Sequence, residues 1–558
     1  MTKLTAWKYF PVVMTLMLVL GLCAVGPLGC GNPVVTIPDA GLDAAIREAL
    51  NKPEGELYAS ELAWLTILDA FDRGIHDLEG LEYCTNVKLM GLWGNQISDI
   101  SPLAKLTNLT ELDLTGNRIT DISPLVELTD LRTLSLAENQ ISNISPLANL
   151  TKLAWLVLAK NQISDVSPLA NLTGLTVLIL AENEISDVSP LVNLTNLIWL
   201  ELRGNQISDV SPLANLTSLT WLGLSQNQIS NILPLADLTN LTLLSLSENQ
   251  ISNIYPLTNL TNLTTLSLSE NQISDISSLA NLTNLTALGL EHNQISEIYF
   301  LSNLTSLMVL NLAKNQISVI SPLANLASLT ELCLEANQIS DISPLADLTS
   351  LTLLSLSENQ VNNISSLANL TNLTELGLGD NQINDISPLG SLTNLTTLSL
   401  IENQISSISS LANLTNLTEL GLGANQVSDI SPLSNLSNLK QLALDSNQIT
   451  DISALSDLTD LSAVWLDNNN ITDISPLSAL IRMGEVEEGD PWLDERDGTK
   501  VSLGLRNNQI TDIKALVDNE GLSEGDGIDL RGNPLSSYST DTYITQLEER
   551  GVNVLYDV

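Results

Sequence analysis

The chain has 558 residues, 64 of them acidic against 21 basic, and carries a net charge of −43. Such a surface repels phosphate backbones and anionic lipid heads, which argues against nucleic acid as a partner and against direct membrane adsorption. Hydrophobic residues reach 44% but aromatics only 3%, so any core is aliphatic, and large buried aromatic centres are excluded.

In chain order, Lys3 and Lys8 precede an apolar run from Pro11 to Leu22 and then small residues, the order of a secretory signal (residues 1–30). Leu28-Gly29-Cys30 is similar to the end of a bacterial lipoprotein signal, which makes Cys30 the candidate lipidation site, although Pro27 departs from that pattern. Ordinary cleavage near Ala24 to Gly26, or an uncleaved anchor, stays open. No second long apolar run follows. Cys23 and Cys30 belong to this leader, so Cys84 and Cys333 do not make a disulfide framework. Cys84 falls at a core position of the later pattern and Cys333 at a strand position facing solvent.

Residues 34–72 read as a helical N-terminal cap. Asp39 is a candidate helix N-cap before Leu42, Ala45, Ile46 and Leu50, and Ser60 another before Glu61-Leu62-Ala63-Trp64. From residue 73 to 480 one period governs the sequence. The phrase Asn-Gln-Ile-Ser-Asp-Ile-Ser-Pro-Leu begins at Asn95, and an asparagine returns every 22 residues through Asn117 and Asn139 to Asn469. Within a unit, Leu109 to Leu114 alternates, so Leu112 and Leu114 point one way and Glu111 and Asp113 the other, as in a short strand. Asn117 turns the chain, and its amide is suited to serve backbone groups that the bend leaves unpaired. Ile119, Ile122, Leu125 and Leu128 recur at spacings of three, which suits tight helical turns. One unit cannot bury this face alone, whereas a stack buries all of it in one column and pairs successive strands in parallel, about 4.8 Å apart.

This unit, with the cap before it, resembles the bacterial internalin-type leucine-rich repeat, from roughly Val34 to Asn469. The fold class expected is therefore α/β, a right-handed curved solenoid with a parallel concave β-sheet and a 3-10 or irregular convex side. The resemblance implies a surface or secreted protein that grips its partner with the concave sheet. No β-sandwich module and no sorting motif follow the repeats, so binding carries over better than host invasion.

Six residues before each turn asparagine lies an outward strand position, which reads Thr133, Trp155, Val177, Trp199, Trp221, Leu243 and Thr265 in successive units. Five apolar residues in a row on a wet face mark an interaction site, with padding of a tightly curved sheet as the alternative. Val157, Ile179 and Ile198 lie near them, with Glu201 and Arg203 expected at the edge. Farther on the column turns to Ala287, Glu375, Thr397 and Glu419. A second column, Asp99, Asp121, Asp165, Asp187, Asp209 and Asp275, reads as turn capping. Triplets such as Asn149-Leu150-Thr151 match a glycosylation acceptor but recur only because the repeat recurs.

Asn508 follows Asn469 by 39 positions instead of 22, so residues are inserted around Arg482 to Gly498 (segment 481–500). The insertion carries Glu485, Glu487, Glu488, Asp490, Asp494, Glu495 and Asp497 without the ladder spacing of a calcium loop, and reads as a solvated acidic loop, with a Ca²⁺ site as the alternative. Terminal irregular repeats occupy 501–535. A helix over Thr540–Arg550, stopped by Gly551, and a strand over Val552–Leu555 then cap the stack within 536–558.

The only histidines, His76 and His292, lie far apart, and no phosphate loop or CxxC pair is present. Hence no catalytic residue, metal ligand or cofactor is expected. Two other readings remain open, an intracellular phosphatase-regulator-like scaffold and a structural envelope protein without a specific ligand.

Overall fold

The computed structural model describes residues 32–480, 482, 484, 494–496 and 499–557. Cys30 and the leader, together with most of the acidic insertion, lie outside them. Among the described residues, twenty-two short strands form one all-parallel sheet. It is open, because Ile67–Asp69 pairs only with Leu89–Gly91 and Asn553–Leu555 only with Gly527–Asp529.

One turn explains the rest. Its strand is only Glu111–Asp113, narrower than the alternation suggests. The N–H groups of Thr110 and Glu111 both donate to the single carbonyl of Lys88, at 2.8 and 3.0 Å, which closes the ladder on that side. Leu112 and Leu114 point inward with Ile119, Ile122, Leu125, Leu128 and Leu131, none more than 1% exposed. The convex segment is a 3-10 turn over Ser123–Leu125, as the spacing of three predicts.

Asparagine holds the turns to one another. Asn117 Nδ2 donates to the carbonyls of Leu92 and Leu114, both at 3.0 Å, while its Oδ1 accepts from the N–H of Ile97 one turn earlier, at 3.0 Å. The same set repeats along the stack. A buried amide with all these partners satisfies backbone groups that would otherwise be stranded inside the bend. The ladder runs across the insertion. Val464 pairs with Leu503, and Asn508 Nδ2 donates to Leu466 and Leu505 at 2.9 and 3.1 Å. The stack therefore keeps its register from one side of the insertion to the other. The described residues of the insertion include the strand Asp494–Arg496, paired antiparallel with Thr499–Val501.

The aspartate column caps the convex turns. Asp121 Oδ1 accepts from the N–H of Ser123 at 2.8 Å and Oδ2 from its hydroxyl at 2.9 Å. These bonds, the backbone one first, hold the Asp121 carboxyl below the usual carboxylate range.

At the N-terminal end, Val34–Val35 pairs antiparallel with Leu57–Tyr58, and the helix Ala40–Ala49 covers the first turn. Asp39 caps that helix, accepting from the N–H groups of Gly41 and Leu42 at 2.9 and 3.0 Å. Ser60 is not a cap. It lies inside the short helix Ala59–Leu62, whose N-cap is Tyr58, and Glu61 reaches back to the Tyr58 N–H at 3.0 Å. Ser60 instead exchanges hydrogen bonds with Asn32. At the other end a π-helical turn, Ser539–Tyr543, leads into the helix Ile544–Glu549, with Ile544 and Leu547 buried. No helix among the described residues is long and apolar enough to cross a membrane.

Candidate functional site

Because Leu156, Leu178, Leu200 and Leu222 take the inward positions of their strands, their neighbours on either side must face the concavity. Parallel register then stacks Trp155, Val177, Trp199, Trp221 and Leu243 directly beside one another. This sheet surface is less wet than the sequence implies. Val177 is 8% exposed, enclosed between Trp155 and Trp199, and the three tryptophans and Leu243 are half-buried. The rings of Trp199 and Trp221 lie 4.2 Å apart at 17°, an offset stack. Val157 and Ile179 are half-buried in the adjacent outward column, and Ile198 stands 47% exposed beside Trp199.

The sequence places Glu201 at the edge of this patch, whereas its side chain lies inside it. Its carboxylate leans over Gly223, where any Cβ would collide with it, and accepts the indole N–H of Trp221 at 3.2 Å and the backbone N–H of Arg203 at 3.1 Å. Burial pushes this carboxyl above its ordinary range, against the opposing pull of the Trp221 hydrogen bond and the Arg203 charge. Arg203 does form the border. Its Nε donates to Gln226 at 2.8 Å, and a terminal nitrogen lies 3.9 Å from Glu182. The buried indole N–H of Trp199 finds no acceptor among the described residues.

Cys84 is fully buried, and desolvation pushes its thiol up to about 12. Cys333, on the concave side, is half-buried rather than open, and burial raises it as well. Neither is poised as a nucleophile, since the thiolate is the reactive form. Among the described residues no group of three or more His, Cys, Asp or Glu side chains converges as a metal site would require. His76 Nδ1 lies 2.8 Å from Asp39 and serves the cap.

Two further exposed apolar groups lie outside the concave column. Phe71 and Trp93, each 42% exposed, stack 4.7 Å apart at 4° near Ile67 at the N-terminal end of the sheet. Both lie two residues before a turn residue, Arg73 or Asn95, so the period itself would have found them. The other group lies on the outer flank, at Leu233, Tyr255, Tyr299 and Val319.

A family model for leucine-rich repeats in two copies matches in successive segments from 85–127 to 437–479, and a further leucine-rich repeat model matches 173–229. Together they cover more than half of the chain. An internalin of Listeria monocytogenes, InlF, is 42% identical; the match covers 61% of this chain and 95% of that one, with a TM-score of 0.52. The functional domain of Listeria InlJ, which includes a cysteine ladder, is 26% identical over 65% of this chain and 80% of that one, with a TM-score of 0.57. A leucine-rich repeat protein of Leptospira interrogans is 26% identical over 70% and 93%, with a TM-score of 0.54. No curated protein sequence matches. The chain belongs to the leucine-rich repeat family, as an internalin-type member whose ladder is built of asparagine.

Proposed function

We propose that this protein is a non-enzymatic binding solenoid, secreted or held at the cell envelope through an acylated Cys30, that engages a protein or glycan partner on its concave face. The contact is the central patch of Trp155, Val177, Trp199, Trp221 and Leu243, with Val157 and Ile179 beside it and Glu201 and Arg203 as its polar members.

The observation that carries this reading is the Trp199–Trp221 stack beside an exposed Ile198. The repeat already fills its core with Leu and Ile, so stability alone does not call for tryptophan there. Half-buried aromatics with a polar border are what interface hot spots are made of. Glu201 adds direction to the patch, because it fixes the Trp221 ring by its indole N–H.

Replacing Trp155, Trp199 and Trp221 together by Ser leaves the inward leucines in place. In a capture screen against purified extracellular proteins and glycans, the triple variant is expected to lose its ligand by more than about 30-fold, the effect of one or more hot-spot truncations. Its far-ultraviolet circular dichroism should stay unchanged. Capture retained by a folded triple variant overturns the assignment. Mass spectrometry of the mature N-terminus checks the anchor, with an acylated Cys30 expected.

A further inference from the structure

The residue six positions beyond each ladder asparagine opens the convex 3-10 turn, and in most turns it is an exposed serine. Three turns within a short stretch break this rule. Leu233, Tyr255 and Tyr299 replace the serine and are 64%, 74% and 69% exposed, with Val319 beside them at 60%. The turn does not require them. The N–H groups of Leu233 and Tyr255 are capped by Asn231 and Asn253 at 3.0 and 2.9 Å, just as serine is capped elsewhere. Nor does the core use them. Between the two tyrosines Ser277 keeps the small residue, and it is the one serine of this column that is only half exposed among the described residues. Four such side chains expose on the order of 500 Å², toward the upper end for a monomer's largest apolar patch.

A molecule of charge −43 repels a second copy wherever carboxylates meet. On this flank the capping column reads Asp209, Asn231, Asn253, Asp275, Glu297, Val319, so two neutral asparagines separate Asp209 from the acids Asp275 and Glu297. Consider two copies laid antiparallel about a two-fold axis between the turns of Asn253 and Asp275. Asn253 then faces Asp275, Asn231 faces Glu297 and Asp209 faces Val319. In the apolar column the same register sets Tyr255 against Ser277 and Leu233 against Tyr299, large against small at the centre and apolar against apolar outside it. Moving the axis onto the turn of Asp275 sets that residue against itself. Moving it onto the turn of Asn253 sets Asp209 against Glu297. Of these three registers only the first avoids every carboxylate pair, and it pairs all six turns with one another. Equal spacing of turns in both copies keeps the register from one end of the patch to the other.

We propose that the protein self-associates as a two-fold dimer through this outer flank, centred between Tyr255 and Ser277, with the concave face left free. Convex surfaces diverge on either side of their contact, which confines the interface to the few turns that carry the patch. The isologous arrangement closes on itself and does not propagate into filaments.

Sedimentation equilibrium of the full chain tests this at moderate ionic strength. The wild-type chain should show a concentration-dependent dimer, and the variant with Leu233→Ser, Tyr255→Ser and Tyr299→Ser a monomer; serine occupies this position in most other turns, so the variant keeps its fold. Asn253→Asp places a carboxylate opposite Asp275 and should weaken the dimer on the order of tenfold or more. Asn363→Asp, the same change in the same column outside the patch, should leave it unaltered. A wild-type chain that stays monomeric at every soluble concentration overturns the proposal. So does a triple-serine variant that still dimerises, or an equal response to the two Asn→Asp changes.

Discussion

Glu201 is a carboxylate kept where burial opposes its charge, and this has a sign that can be measured. Because its folded-state pKa is raised, its contribution to stability is full below the ordinary range and is lost as pH rises through the raised value. Glu201→Gln, which still offers an oxygen to the Trp221 indole, is therefore expected to melt higher than the wild type at neutral pH. The difference should vanish in acid; a variant that melts lower at neutral pH contradicts the account. Asn271 shows the opposite dependence on partners. Its side chain serves Leu246, Leu268, Ser269 and the N–H of Ile251. Asn271→Ala strands several buried groups, and the expected loss in urea denaturation is about 3 kcal/mol. The residue just before each ladder asparagine has positive φ, for example 53° at Glu402. A side chain there costs on the order of 1 kcal/mol, so Glu402→Gly is expected to stabilise by up to about that amount in the same assay.

Among the elements, the N-terminal cap depends most on a single side chain. Asp39 is 3% exposed and accepts from Gly41, Leu42 and His76 at 2.9–3.0 Å, which ties the helix Ala40–Ala49 to the first turn of the stack. Burial raises its pKa, but the hydrogen bonds from His76, Leu42 and Asp77, with the His76 charge, outweigh burial and lower it overall. Its stabilisation is thus present above the ordinary carboxylate range and is lost as pH falls through the lowered value. Hydrogen exchange in acid should release the amides of this helix before those of the central strands; simultaneous release would contradict the assignment. Asp39 was legible in the sequence because a capping aspartate precedes an amphipathic run. Ser60 misled for a physical reason, since Glu61 can cap from within the first turn and moves the helix start back to Tyr58. From Leu89–Gly91 to Ala463–Trp465 the strands are shorter than the alternation because two N–H groups share one carbonyl at each entry, a backbone effect that side-chain patterning does not encode.

For the whole molecule, the 22-residue period made the stack, its parallel sheet and its asparagine ladder readable from the sequence. The insertion was readable as a break in that period, and the structure adds the contact that carries the ladder across it, Asn508 on Leu466, the same bond that Asn117 makes to Leu92. The candidate patch was legible as identities but not as exposure. Val177 is enclosed only because tryptophans flank it in the two neighbouring turns, and Glu201 leans inward only because residue 223 is glycine. The flank tyrosines were legible too, since Tyr255 and Tyr299 break the serine column of the same period. What the period shares among all turns builds the scaffold, so function is assigned to positions that depart from it. Hydroxyl-radical footprinting of the full chain, free and bound to its captured ligand, tests this most directly. Trp155, Trp199, Trp221 and Ile198 should be protected in the complex, while the exposed Trp64 and Tyr538 stay as reactive as before. Unchanged oxidation of the three concave tryptophans in a saturated complex would contradict the account.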